Sequence, residues 1–144
     1  MNIYFEVEDI DFKLYAVILT RKWLKESVKN ENPKFRIGEL SFVFCDDAYL
    51  HKINVEYLNH DTLTDIITFD NSDDENKIEG DIFISVERVR ENADTLKTVF
   101  EQELRRVIIH GVLHLCGYKD KTKKDAQIMR EKEDFYIAKW LEMA

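Results

Sequence analysis

The spacing of apolar residues changes along the chain, and the changes divide it into strands and helices. Ile3, Phe5 and Val7 alternate with polar neighbours, the period of two expected of a half-buried strand. Asp11 then precedes a period near 3.6, with Phe12, Tyr15, Ile18, Leu19 and Trp23 on one side; this predicts a helix that breaks around Pro33. Glu39 to Cys45 (ELSFVFC) is β-branched, aromatic and apolar, which predicts a buried strand. Asp46 is placed to cap a helix reaching about Asn59, with Leu50, Ile53, Val55 and Tyr57 as its apolar residues. Asp65 to Phe69 and Gly80 to Ser85 predict two more strands, separated by a polar loop from Asn71. Ser85 can cap a short helix through Arg90. Thr98-x-x-Glu101 has the form of a capping box and opens a helix that continues through ELRRVIIHGVLHL to Gly117. A last helix starts near Thr122 and runs to Ala144, with Ile128, Phe135, Tyr136 and Trp140 as its stripe.

About four strands interleaved with four or five helices predict one domain spanning residues 1–144, a length that suits one core better than two. Composition agrees with a globular chain: 44% of residues are hydrophobic and 12% aromatic, too many for a disordered segment. No apolar run is long enough for a membrane span, and the first residues lack the basic and apolar regions of a signal peptide. Two cysteines, Cys45 and Cys116, make no disulfide framework, so a reducing compartment, the cytoplasm, is expected.

Charge changes the picture more. Asp plus Glu number 29 against 21 Lys plus Arg, a net charge of −8, which argues against a generic nucleic-acid coat. The acidity is uneven. Residues 110–144 hold seven basic and six acidic side chains, net +1, whereas residues 1–109 hold fourteen and twenty-three, net −9. Lys119, Lys121, Lys123 and Lys124 cluster in the less acidic part; such a run is a solvated loop or, beside a suitable site, a rim that steers phosphate. Arg105, Arg106, Arg88 and Arg90 would extend that rim.

The candidate chemistry lies just before the lysines, in His110-Gly-Val-Leu-His114-Leu-Cys-Gly117-Tyr-Lys-Asp120. Histidines at i and i+4 share a helical face, so their imidazoles can meet at one cation. Gly117 tolerates the left-handed conformation that ends a helix, which lets the chain bring Asp120 back as a third ligand. Two imidazoles and one carboxylate leave a position open for water, as a catalytic site requires. Metalloproteases of the HExxH type carry a glutamate after the first histidine; Gly111 stands there and suggests room for a bulkier substrate or a different proton carrier.

These residues resemble the YbeY family of bacterial metal-dependent endoribonucleases. The stretch His110 to Asp120 is similar to the family's H-G-x-L-H-L-x-G-Y-D-H without gaps. Tyr57 followed by Thr64-Asp65-Ile66-Ile67-Thr68-Phe69 resembles its tyrosine and T-D-V-L-S-F block, and Gly80-Asp81-Ile82 its G-D-I strand, so the resemblance spans about residues 40–125. It implies an α+β, zincin-like single domain with a small mixed sheet. It also implies one divalent metal, zinc first, held by His110, His114 and Asp120, through which these residues act in catalysis. The implied activity is single-strand-specific endoribonuclease cleavage, with a metal-activated water, in 3′-end maturation of small-subunit (16S) rRNA and in ribosome quality control. RNA is then the partner, with ribosomal proteins or assembly factors beside it. The chain departs from the family twice: Asp120 replaces a histidine, with Lys119 before it, and Leu58 replaces an arginine suited to a phosphate contact.

Other residues keep two readings. Glu103, seven positions before His110, either supports a ligand imidazole or is a solvated helix residue. Asp65 and Asp81 have structural readings first. Cys116 packs as a small apolar residue, His51 and His60 are exposed, and Thr62 and Thr64 could contact a phosphate. No residue identifies itself as the general base. Two other functions remain open: a ribosome-associated binding module with a structural metal, which a fourth protein ligand would favour, and another metallohydrolase such as a peptidase.

Overall fold

A computed structural model describes residues 2–144. Four strands, β1 (Ile3–Val7), β2 (Arg36–Cys45), β3 (Ile66–Asp70) and β4 (Lys77–Ser85), form one mixed sheet in the order β1-β2-β4-β3. β1, β2 and β4 run parallel and β3 is antiparallel to β4 at one edge. Among the described residues, five helices complete the α+β fold: α1 (Val17–Glu31), α2 (Asp47–Leu58), α3 (Val86–Leu96), α4 (Phe100–Leu115) and α5 (Lys123–Met143). None is long and apolar enough to cross a membrane.

The alternation along the strands decides what each face of the sheet carries. Leu40, Phe42, Phe44, Ile82 and Ile84 point into the main core, where they pack with Trp23 and Leu24 of α1, Ile108 and Val112 of α4, and Tyr136 and Trp140 of α5. Cys45, Ile67 and Phe83 point the other way, where Leu50 of α2 covers them. Because Ile66 and Thr68 pair with Ile84 and Ile82, the edge strand β3 shows these two residues to the face that carries α4.

Several boundaries differ from the sequence reading. The helix expected after Asp11 begins at Val17, and Tyr15 and Ile18, expected on its apolar side, are exposed. The backbone before it is held by a distant group: buried Arg105 donates to the Tyr15 carbonyl at 2.7 Å and to Thr20 Oγ1 at 2.8 Å. The Thr98 capping box does not form. Val99 is the N-cap of α4, and Glu101 faces Arg105 at 3.5 Å instead. α3 runs six residues past Arg90, and β2 starts three before Glu39, across a register shift between Ile37 and Leu40. The stripe of α5 is buried at Met129, Glu133, Tyr136, Ile137 and Trp140, while Phe135 is exposed. The caps expected at Asp46, Ser85 and Thr122 are all made, each side chain accepting a backbone N–H of the first turn.

Candidate metal centre

Helix α4 carries His110 and His114 on the side turned toward the cleft between β3 and α5. Its opposite pressure against the sheet explains Gly111. A Cβ there would lie 3.0 Å from Ile66 Cδ1 and 3.1 Å from two atoms of Ile82, so the position is needed for close helix–sheet packing. It therefore opens no room for substrate, contrary to the sequence expectation, and a carboxylate at that position would be driven into apolar side chains.

The end of α4 builds the rest of the centre. Gly117 has φ 109°, the conformation in which glycine is least strained. Its N–H donates to the His114 carbonyl at 3.0 Å and that of Tyr118 to the Leu113 carbonyl at 3.0 Å, the paired bonds of a Schellman turn. That turn reverses the chain and returns Asp120 to the helix. Asp120 Oδ2 lies 3.2 Å from His110 Nε2 and 3.4 Å from His114 Nε2, and the two Nε2 atoms are 3.0 Å apart. A tetrahedral zinc with bonds of ~2.0–2.1 Å has ligand–ligand edges of about 3.3–3.4 Å, so these three atoms outline one face of such a site. No fourth His, Cys, Asp or Glu joins the group among the described residues.

Both imidazoles are oriented through the other ring nitrogen. His114 Nδ1 faces the Tyr118 carbonyl at 2.9 Å, and His110 Nδ1 faces Glu133 Oε2 of α5 at 2.6 Å. An N–H on Nδ1 in each ring leaves Nε2 as a free donor to a cation, so this chain's residues fit a divalent metal of the borderline-soft type. Burial lowers the His110 imidazole, but the hydrogen bond and charge of Glu133, with Asp120 and Asp65, outweigh it and hold the group above its ordinary value.

Glu133 is the residue that sequence reading missed. It is buried, and its Oε1 accepts from Arg106 at 3.0 Å while Arg106 also donates to Asp134 at 2.8 Å. Its signal was available: position 133 lies on the buried stripe of α5, four after Met129 and three before Tyr136, where a carboxylate needs a partner. A second support stands behind Tyr118. Its hydroxyl donates to Glu31 Oε1 at 2.5 Å, and Tyr136 and Lys132 also donate to the Glu31 carboxylate, Lys132 at 3.2 Å. The last residue of α1 thus braces the turn that orients His114.

His110, His114, Asp120 and Glu133 line an open cleft of about 990 Å³. Asp65 and Glu103 line it. Burial, the largest influence, raises both carboxyls above their usual range, against the pull of His110 on Asp65 and of Arg106 on Glu103. Glu103 is buried rather than solvated, and it makes no hydrogen bond to either histidine among the described residues; Glu133 takes the supporting role. Leu58, His60, Thr62 and Thr64 line the wall that follows α2. Asp81 is outside, bonded to Asn71 at 3.0 Å. Cys116 packs against the core, and burial pushes its thiol up to about 12.

The expected basic rim is only partly assembled. Lys121 lines the cleft, whereas Lys119, Lys123 and Lys124 are exposed outside its lining. Arg105 is buried over the Trp140 ring, Arg88 pairs with Asp47 at 2.6 Å, and Arg90 lies over Phe100. Arg130, unremarked in the sequence, lines the cleft.

Comparison with known proteins places these features in context. The family model described as Endoribonuclease YbeY matches residues 2–141. An Endoribonuclease YbeY of Christiangramia forsetii is 57% identical over 128 residues, covering 89% of this chain and 87% of that protein. One of Flavobacterium johnsoniae is 59% identical over 116 residues, covering 81% of each. A solution structure from Thermotoga maritima, TM1509, superposes with a TM-score of 0.67 at 27% identity, covering 96% of this chain and 88% of that one.

Proposed function

Since the chain belongs to the YbeY family of endoribonucleases, we propose that it is a metal-dependent enzyme that cuts single-stranded RNA, with small-subunit rRNA as its substrate in 3′-end maturation and ribosome quality control. The observation that carries this reading is the triangle of His110 Nε2, His114 Nε2 and Asp120 Oδ2, set in an open cleft of about 990 Å³. A divalent cation held there, zinc by the match of donors and edges, would polarise water or a phosphoryl oxygen. The chain's own residues supply the rest. Glu133 and the Tyr118 carbonyl fix both imidazoles before substrate arrives, so little reorganisation accompanies the reaction. Asp65 and Glu103 are cleft carboxylates outside the donor set whose carboxyls burial raises above their usual range, the direction that makes a carboxylate a stronger base.

A structural metal in a binding module receives no support, because no fourth protein ligand closes the site among the described residues. A peptidase of the HExxH type lacks its base, since Gly111 is packed on Ile66 and Ile82. The cytoplasm, with ribosomal proteins or assembly factors nearby, is the setting this function requires. The test is direct. The purified protein is expected to bind one metal per chain and to cleave single-stranded rRNA fragments, and a His114→Ala variant to do neither. Cleavage that persists in that variant, or none in the metal-loaded wild type, refutes the assignment.

A further inference from the structure

Resting on the ribonuclease reading, we propose that the RNA backbone runs along the α5 wall of the cleft, where Arg130 and Lys121 hold its phosphates, and that sugars and bases face the wall after α2. The argument begins with the cations. Three line the cleft: Arg106, Lys121 and Arg130. Arg106 is already spent on protein carboxylates, being half-buried and bonded to Glu133 at 3.0 Å and Asp134 at 2.8 Å. Arg130 is different. Its side chain is 58% exposed, and its one ion pair among the described residues is a 4.0 Å approach to Glu133 Oε1, at the outer limit of such contacts. Lys121 directly follows Asp120, is exposed, and has no ion pair among the described residues.

No lysine or arginine lines the opposite wall among the described residues. Leu58, His60, Thr62 and Thr64 line it, and Tyr57 beside them is 70% exposed, its ring edge against Phe69. An exposed aromatic and an apolar residue suit bases, which stack on such surfaces regardless of sequence. The cleft also holds five carboxylates, Asp65, Asp70, Glu103, Asp120 and Glu133, which repel a phosphodiester strand wherever no free cation stands. The backbone therefore has one wall on which to lie. Ala126, Met129, Arg130 and Glu133 line the cleft from a single face of α5, so Arg130 sits one helical turn before the carboxylate that orients His110. Its planar fork can take two oxygens of one phosphate and so set the strand's position relative to the metal donors.

The test measures binding of a fluorescent single-stranded rRNA fragment to metal-loaded protein, read as initial anisotropy over a range of salt. Each phosphate contact on a single strand contributes ~0.7 to the slope of log affinity against log salt. Arg130→Ala and Lys121→Ala are each expected to flatten the slope by about that amount with metal content unchanged, and Arg130→Lys to recover most of it. Thr64→Val is expected to change affinity without changing the slope. An unaltered slope in Arg130→Ala, while the wild type binds and cuts RNA, overturns this proposal alone. A wild type that neither binds nor cuts RNA overturns the ribonuclease reading beneath it.

Discussion

Replacing Glu133 by glutamine changes the charge of one buried atom pair and almost nothing in volume. In the native chain Glu133 accepts two bonds, from His110 Nδ1 at 2.6 Å and from Arg106 Nη1 at 3.0 Å. A glutamine has one oxygen and one NH₂ group, so it can satisfy only one of these donors. If its oxygen stays with Arg106, its NH₂ group faces His110 Nδ1 and favours the tautomer with the proton on Nε2, the atom aimed at the cation. If it turns the other way, Arg106 loses an acceptor in a half-buried position. Loss of such outer support typically weakens metal binding 10–100-fold, or about 1.4–2.7 kcal/mol. The first arrangement puts this variant toward the upper end. The assay is competition against a chelator of known affinity for zinc, with elemental analysis of the equilibrated protein. Circular dichroism on the same samples establishes that the variant is folded. A folded Glu133→Gln protein with wild-type zinc affinity would refute the claim that this carboxylate sets the His110 tautomer.

Further outcomes follow from the same geometry. Asp120→Ala should lose stoichiometric metal on dialysis, whereas Asp120→His, which offers another imidazole nitrogen, should retain it; elemental analysis distinguishes them. A Cβ at Gly80 would collide with the Phe69 backbone carbonyl, so Gly80→Ala must part β3 from β4. Its cost should reach or exceed the ~1–3 kcal/mol of core overpacking, read as a lower urea midpoint, and RNA cleavage should fall with it because β3 is a wall of the cleft. Burial raises the Glu31 carboxyl, but hydrogen bonds from Tyr118, Tyr136 and Lys132 outweigh it and leave the group below its ordinary 4.5. A lowered folded value means that this stability is present above pH 4.5 and is lost as pH falls through the folded value. The Tm difference between wild type and Glu31→Gln should therefore shrink below pH 4.5; a constant difference on acidification contradicts the linkage.

What the sequence made legible was local. The two histidines, the glycine that ends their helix and the returning carboxylate lie within eleven residues, and their geometry follows from helix periodicity and one turn. The caps at Asp46, Ser85 and Thr122 were readable for the same reason, each being a bond across three residues. What stayed hidden depends on contacts between distant parts of the chain. Glu133 is 23 residues from the histidine it orients, and Arg105 is 90 residues from the carbonyl it holds in place of a helical turn. Thr98 had the right spacing for a cap, but the helix starts one residue later, with Val99 at the N-cap position and Glu101 facing Arg105. Gly111 showed the same limit: its missing side chain suggested free space, and only the approach of Ile66 and Ile82 revealed that the space is filled.

Because α5 supplies Glu133, and with Tyr136 and Lys132 grips the Glu31 that braces Tyr118, the order of synthesis matters to this centre. A nascent chain released as far as Asp120 already carries all three cation donors but neither of the anchors that α5 provides. Metal capture with correct ring orientation must wait until the C-terminal helix has left the ribosome and docked. A stop before Glu133 would yield a polypeptide with its three cation donors intact and the His110 ring without the carboxylate that orients it.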